Sequence, residues 1–140
     1  MSAPAPADAI GVAVAHVSKR FTHQVKGEVY AARDVSIDVQ PGEFLTLLGP
    51  SGCGKTTTLR MIAGFETPDA GRITFAGQDV TRLPANQRGI AMVFQNYALF
   101  PHLTIYENVA FGLRRTGVKD SELKSRVTQM LELVELPGFE

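Results

Sequence analysis

The chain has 140 residues, of which 44% are hydrophobic and 20% are charged, a composition typical of one globular domain rather than of a disordered segment. Lys plus Arg and Asp plus Glu are equal at 14 each, and this neutral balance argues against a protein that binds nucleic acid through its phosphates. The single cysteine excludes an internal disulfide and fits a reducing compartment, and no apolar run approaches the roughly 18 residues that a transmembrane helix needs.

The N-terminal part is predicted to be a tail followed by two strands. Residues 1–9 are rich in Ala and Pro, and we expect a disordered tail without a secretory signal. The valine-rich residues 12–17 predict a strand, and the polar residues 18–27 predict a loop or a hairpin connection. Residues 29–39 end in alternation of apolar and polar side chains, which is typical of a half-buried antiparallel strand.

A glycine-rich segment lies between a predicted strand and a predicted helix. Residues 44–48 are apolar almost throughout and predict a strand that is covered on both faces. Residues 49–56 read Gly-Pro-Ser-Gly-Cys-Gly-Lys-Thr and match the phosphate-binding pattern G-x-x-x-x-G-K-[ST] at every fixed position. Residues 57–63 predict a helix, which Gly64 closes. Strand, loop and helix in this order are typical of a P-loop α/β core.

The motif predicts a site for a nucleoside triphosphate with Mg²⁺. Gly49, Gly52 and Gly54 lack a Cβ, so the backbone can curl and bring its N–H groups onto phosphate oxygens. The following helix adds the N–H groups and the dipole of its N-terminus. Lys55 carries a charge toward the β- and γ-phosphates, and Thr56 offers a hydroxyl to the metal ion.

Cys53 lies inside this loop, where positive potential can make a thiol reactive, although a small residue that merely fits is the alternative. In either case we expect alkylation of the thiol to block ATP binding through its bulk. The full set of loop residues predicted to bind the nucleotide is Gly49, Pro50, Ser51, Gly52, Cys53, Gly54, Lys55, Thr56 and Thr57.

Two more strands are predicted after the first helix. Residues 72–76 alternate between apolar and polar side chains, residues 77–89 are polar and irregular, and residues 90–94 form a second continuous apolar run that ends at Gln95. The alternating strands before and after the loop are expected to form a separate antiparallel sheet beside the P-loop core.

The last part of the chain predicts two helices. Thr104 with Glu107 three residues later is a capping box, so a helix begins there, and Gly117 ends it. Asp120 is expected to cap a second helix, which has one apolar face. The predicted residues of that face are Leu123, Val127, Met130, Leu131 and Val134.

Three segments together resemble the ATP-binding subunits of ABC transporters. They are the loop with Leu-Arg-Met-Ile-Ala-Gly at 59–64, Gly-Ile-Ala-Met-Val-Phe-Gln-Asn-Tyr-Ala-Leu-Phe-Pro-His at 89–102, and Glu-Asn-Val-Ala-Phe-Gly at 107–112. The sequences of these segments are most similar to those of the importer branch, which energises uptake of polyamines, iron, sulfate or sugars. Within this branch, polyamines or iron are the favoured solutes. The resemblance implies an α/β fold: a P-loop NTPase core with a partly parallel sheet, an N-terminal antiparallel β-subdomain, and a helical subdomain that begins near residue 104.

The resemblance also implies roles for residues outside the loop. Phe21 matches the aromatic side chain that stacks on adenine, with packing in the small sheet as the alternative, and residues 22–28 make a longer connection than many members have. Gln95 matches the glutamine that reaches Mg²⁺ and the attacking water when the site closes. Lys55 and Gln95 are therefore the predicted catalytic residues, and Thr56 and Gln95 are the predicted metal ligands.

Partners follow from the same resemblance. The apolar and aromatic loop after Gln95 is expected to form a groove for a short helix of a transmembrane permease subunit, with ordinary core under a loop as the alternative. Further implied partners are a second copy of the subunit, which would sandwich two ATP molecules as a homodimer, and a periplasmic or extracellular solute-binding protein, whereas nucleic acid is not expected. The implied location is peripheral, at the cytoplasmic face of the inner or plasma membrane. The groove residues are Tyr97, Leu99, Phe100, Pro101 and His102.

Three motifs of the family have no match in these residues: the Leu-Ser-Gly-Gly-Gln segment, an apolar strand that ends in Asp-Glu, and the later switch histidine. Residues 10–140 are therefore interpreted as the N-terminal part of an ABC-type ATP-binding domain, which alone is expected to be unstable and without ATP turnover. The alternatives are a soluble ABC-family ATPase of translation or DNA repair, a non-catalytic nucleotide-binding fragment, and a P-loop kinase, which the segment around Gln95 disfavours.

Overall fold

The computed structural model describes residues 9–25 and 27–139, so the predicted tail lies outside the described residues except for Ala9. These residues divide into two compact units, one up to Met92 and one from Val93 onward. The elements in chain order are β1 (Val12–His23), β2 (Gly27–Val39), α1 (Lys55–Ala63), β3 (Ala70–Phe75), β4 (Gln78–Asp79), a 3₁₀ turn (Ala85–Gln87), α2 (Ile105–Arg115) and α3 (Asp120–Leu133).

The first unit contains a four-stranded antiparallel sheet in the order β2-β1-β3-β4. β1 and β2 form a long hairpin, in which Val12 lies opposite Val39 and His23 lies opposite Gly27. The prediction of a loop over residues 18–27 was therefore wrong for residues 18–23, which continue β1. Their polar side chains are compatible with a strand because most of them are exposed there, so the strand needs no apolar face.

The hairpin of β1 and β2 changes register at three places. The first shift includes His16 of β1 and the second includes Asp34 of β2, and both residues have positive φ, 53° and 51° respectively. The third leaves Ala31 of β2 without a partner between the paired residues Tyr30 and Ala32. Such β-bulges bend a strand and re-aim its backbone.

The core of the first unit lies between this sheet and α1. Met61 of α1 and Ile73 of β3 are both 0% exposed, and the alternation predicted for β3 is confirmed. The predicted helix after the loop is also confirmed, and Gly64 closes it with φ 80° and an amide that donates to carbonyls of its last turn. The buried members of the cluster are Val14, Val17, Ala32, Met61, Ile73, Phe75 and Val80.

Neither apolar segment that was predicted as a buried strand forms one. Residues 44–48 and 90–94 contain no strand, and Phe44 is 93% exposed and Val93 84% exposed. All strand pairs in the described residues are antiparallel, so the parallel part of the expected sheet is not formed there. The physical reason is that an extended segment becomes a strand only when a neighbour accepts and donates its ladder hydrogen bonds, and none of the described segments does so.

The second unit contains α2 and α3. The predicted capping box is confirmed: the amide of Glu107 donates to Oγ1 of Thr104 over 3.2 Å, and the amide of Thr104 donates to Oε2 of Glu107 over 2.8 Å. Asp120 was predicted to cap α3, but Lys119 is the N-cap residue and no side chain caps this helix. Asp120 is instead the first helical residue, where its carboxylate complements the helix dipole.

The apolar face of α3 is narrower than predicted. Leu123, Val127 and Leu131 are at most 3% exposed, whereas Met130 is 48% exposed and Val134 is 60% exposed. Residues four apart follow one line along a helix, and this line alone faces α2. Met130 belongs to the neighbouring line and Val134 is the C-cap residue after the helix, so the prediction that they are core residues was wrong.

Candidate phosphate-binding site

The loop before α1 depends on glycine at its last position. Gly54 is the N-cap residue of α1 with φ 95°, a backbone conformation that favours glycine. A Cβ at this position would also collide with the carbonyl oxygen of Ala31. The loop therefore rests directly on the bulge of β2, and the shape of the bulge sets where α1 begins.

Lys55 lies across the start of the loop. Its Nζ donates to the carbonyl oxygens of Gly49 and Pro50 over 2.7 and 2.8 Å, and it lies 3.6 Å from Sγ of Cys53. The amides in the first turn of α1 have no acceptor inside the helix. An ammonium group and free amides at the positive end of a helix are together suited to bind an anion.

A cleft of about 140 Å³ lies beside the loop. It brings together five of the nine predicted loop residues, whereas Gly49, Pro50, Ser51 and Cys53 do not line it. Sequence reasoning missed Ala31, because no motif marks this residue and only the strand register brings it to the cleft. The lining residues are Ala31, Gly52, Gly54, Lys55, Thr56 and Thr57.

Phe21 lies on β1 opposite Val29, and its side chain is partly exposed. The ammonium of Lys19 lies 5.6 Å from the centroid of the ring, within the range of a cation–π interaction. Lys19 is held in place because its Nζ donates to the carbonyl oxygen of Thr67 over 2.8 Å and lies 3.4 Å from the carboxylate of Asp69. These contacts fix the strand that carries Phe21 to the turn before β3.

Gln95 belongs to the second unit, whereas the loop belongs to the first. Its side chain is exposed, at the start of a turn that covers residues 95–98. Tyr97 and Ala98 have φ of 59° and 50°, which is unusual for residues with a side chain. The amide of Tyr97 donates to the carbonyl oxygen of Phe94 over 2.9 Å and closes this turn.

An apolar groove of about 380 Å³ lies in the second unit, between the loop that follows Gln95 and helix α2. Leu99, Phe100 and Pro101 line it, whereas Tyr97 and His102 do not. Three of the five residues predicted to contact a permease are thus brought to one surface. The full lining is Leu99, Phe100, Pro101, Leu103, Ile105, Asn108, Val109 and Leu136.

Asn108 holds the rim of this groove. Its Oδ1 accepts a hydrogen bond from the amide of Phe100 over 2.9 Å, and its Nδ2 donates to the carbonyl oxygens of Phe100, Leu103 and Thr104 over 3.2, 3.1 and 2.9 Å. The ring of Phe100 packs against Phe111 with a centroid distance of 4.6 Å. Sequence reasoning did not single out Asn108, although it lies in one of the three resembling segments.

Comparison with known proteins relates the chain to import ATP-binding proteins. The spermidine/putrescine import ATP-binding protein PotA of Protochlamydia amoebophila is 57% identical over 126 residues, which are 90% of this chain and 32% of that protein. The Fe(3+) ions import ATP-binding protein FbpC of Brucella abortus is 53% identical over 124 residues, 89% of this chain and 34% of that protein. The chain thus spans about a third of the length of these relatives.

Solved structures agree with this relation. A dimeric structure of MJ0796, a bacterial ABC transporter cassette, matches 91% of this chain and 58% of its own chain with a TM-score of 0.80 and 27% identity. A dimeric post-hydrolysis state of the same ATP-binding cassette, bound to ADP and Pi, matches with a TM-score of 0.79 and 28% identity. These matches confirm the predicted fold class, although the parallel strands are not formed in the described residues. A family model described as ABC transporter matches residues 32–140, and the chain belongs to that family.

Proposed function

We propose that the chain is part of an ATP-binding and ATP-hydrolysing subunit that energises solute uptake by an ABC importer. The observation that carries this proposal is the cleft beside the loop, which is lined by Lys55 and the other first residues of α1. The names of the relatives, which specify spermidine/putrescine and Fe(3+) import, support an importer with a polyamine or iron as its solute.

The residues at the cleft fit a triphosphate. Backbone amides, an ammonium group and two threonine hydroxyls are hydrogen-bond donors, and the described ranges place no carboxylate among the lining residues to repel an anion. Lys55 would transfer its hydrogen bonds from the carbonyl oxygens of Gly49 and Pro50 to the β- and γ-phosphates. Phe21 would offer the exposed face of its ring to adenine.

Mg²⁺ is proposed to accompany the nucleotide. Within residues 9–25 and 27–139, no three His, Cys, Asp or Glu side chains are grouped to hold a metal ion. The hydroxyl of Thr56 at the cleft is an oxygen donor of the kind that Mg²⁺ accepts, with phosphate oxygens and water as the usual further ligands. When bound, the ion would neutralise charge on the transferred phosphoryl group. Lys55 would also stabilise this negative charge, and Gln95 would orient the attacking water.

The proposed partners contact different surfaces. The groove in the second unit would receive a short helix of a permease, with Leu99, Phe100 and Pro101 in contact and Asn108 holding the rim. A second copy would complete the ATP sites, as the dimeric state of the matched cassettes supports. In the described part of the chain, no helix is long and apolar enough to cross a membrane. We propose a peripheral location at the cytoplasmic face and a solute-binding protein in the same system.

Residues 10–140 are proposed to be the N-terminal part of the ATP-binding domain, with the helical subdomain beginning near residue 104. A test of the whole proposal is Lys55→Ala in the complete protein, measured by titration calorimetry with ATP and by solute uptake. We expect ATP binding and uptake to be lost together, while Lys124→Ala, which changes an exposed lysine of α3, leaves both unchanged. Uptake at the wild-type rate in Lys55→Ala would refute the assignment.

A further inference from the structure

Arg88 is only 6% exposed although it carries a permanent charge. Its guanidinium donates four hydrogen bonds to backbone carbonyls: Nη1 to Met61 and Ile62 over 2.7 and 2.8 Å, Nε to Leu83 over 2.8 Å, and Nη2 to Thr81 over 3.1 Å. None of the ion pairs among the described residues includes Arg88. Burial lowers the pKa of Arg88, but an arginine remains protonated.

Two of these acceptors belong to the last turn of α1. Carbonyls at this end have no donor inside the helix, and the helix dipole is negative there, so the guanidinium is compensated by dipoles instead of a carboxylate. Gly64 shows how closely the surrounding chain packs. A Cβ on Gly64 would lie 2.6 Å from Nε of Arg88 and 2.8 Å from the amide nitrogen of Ala85. The C-terminal end of α1 is therefore seated tightly against the segment before Arg88.

Thr81, one of the other two acceptors, connects this end of α1 to the sheet. Oγ1 of Thr81 accepts a hydrogen bond from the amide of Ile73 over 2.9 Å, and Ile73 lies in the middle of β3. At the opposite end of α1, Gly54 rests on the carbonyl of Ala31 in β2. The helix is thus held on the sheet at both ends, and Arg88 supplies the hydrogen bonds at the end that lies away from the phosphate loop.

We propose that Arg88 is a positioning residue for the phosphate site, which it does not touch: it fixes the C-terminal end of α1 and thereby sets where Lys55 and the N-terminal amides lie. The helix has 9 residues. At 1.5 Å per residue it is about 13 Å long, so a tilt of about 10° would move its other end by roughly 2 Å. Displacements of about 1 Å are enough to weaken a binding constellation.

Removing the guanidinium would leave the buried carbonyl of Thr81 and the partly buried carbonyl of Ile62 without this donor. A helix end in that state gains free energy by shifting toward water. The inference rests on the proposed nucleotide binding and deepens it. Its test uses the complete protein and two ligands, ATP and inorganic tripolyphosphate, because the second has phosphates but no base.

Arg88→Met keeps a long side chain but removes the charge and all donors. We expect Kd to rise by the same factor, about tenfold, for ATP and for tripolyphosphate, because the defect lies at the phosphate site. Arg88→Lys should show a smaller rise, since one ammonium reaches fewer carbonyls. Phe21→Ala should differ from both, with weaker ATP binding and unchanged tripolyphosphate binding.

Val14→Ala is the matched control, because it opens a cavity in the same core from β1 and touches none of the hydrogen bonds of Arg88. We expect it to lower Tm and to leave both Kd values unchanged. Wild-type Kd values in folded Arg88→Met would overturn the proposal. If Arg88→Met does not fold, wild-type Kd values in Arg88→Lys would overturn the proposal instead. A wild-type protein that binds neither ligand would overturn the proposed function and this inference with it.

Discussion

Gly54→Ala tests whether the contact between the loop and the bulge of β2 builds the phosphate site. The added methyl group meets two obstacles: φ of 95° at this position, and the carbonyl oxygen of Ala31, which is backbone and cannot rotate away. The first costs about 1–2 kcal/mol. The second forces the loop or the bulge to move, and overpacking of this kind costs a further 1–3 kcal/mol, roughly. We expect a total near 3 kcal/mol and a loss of ATP binding of at least about 100-fold.

Gly77→Ala is the control for the cost of placing alanine at a positive φ without a steric collision. Gly77 has φ of 80°, and a Cβ there would meet no atom within 4 Å. It lies in the turn between β3 and β4 and does not line the cleft, so we expect a loss of about 1 kcal/mol with unchanged ATP affinity. Urea unfolding and titration calorimetry on both variants of the complete protein measure the two quantities. Equal destabilisation by the two substitutions, or wild-type ATP affinity in Gly54→Ala, would refute the reasoning.

Two further predictions concern single side chains. Alkylation of Cys53 with N-ethylmaleimide should block ATP binding, because Sγ lies 3.6 Å from the ammonium of Lys55 and the adduct would displace it; Cys53→Ser should resist the reagent, and normal binding by alkylated protein would contradict the idea. Two hydrogen bonds lower the pKa of Glu107 below its ordinary value of 4.5. The larger effect comes from the amide of Thr104 and the smaller from its hydroxyl. Since the folded value is the lower one, this contribution to stability is present above 4.5 and is lost as the pH falls through the folded pKa. Thr104→Ala should reduce that acid dependence, followed by circular dichroism, and an unchanged pH profile would count against the capping box.

The features that sequence reasoning predicted correctly are those that a few neighbouring residues determine. The loop conformation follows from glycines such as Gly54, and the start of α2 follows from Thr104 and Glu107, because each of these residues acts on backbone within one helical turn. The alternation in β3 is similar, since one strand with one buried face shows its period directly.

The features that sequence reasoning missed depend on distant parts of the chain. Residues 44–48 have the composition of a buried strand, but composition does not supply the neighbouring strand that would pair with them. Ala31 and Arg88 carry no local pattern at all. Ala31 reaches the cleft only through the register of β2, and Arg88 meets carbonyls that are up to 27 residues away along the chain.

The three bulges of the first hairpin have a consequence for how the length of this segment can vary. The extra residue at His16 in β1 is offset by one at Asp34 in β2, and Ala31 then adds one more. Removing a single residue from β1 or β2 between these bulges would turn every following side chain of the shortened strand to the opposite face of the sheet. The carbonyl of Ala31 would then no longer face Gly54. Additions at the tip, between His23 and Gly27, change no pairing. Within residues 12–39, insertions and deletions are therefore expected to be tolerated at the tip and rejected along the arms.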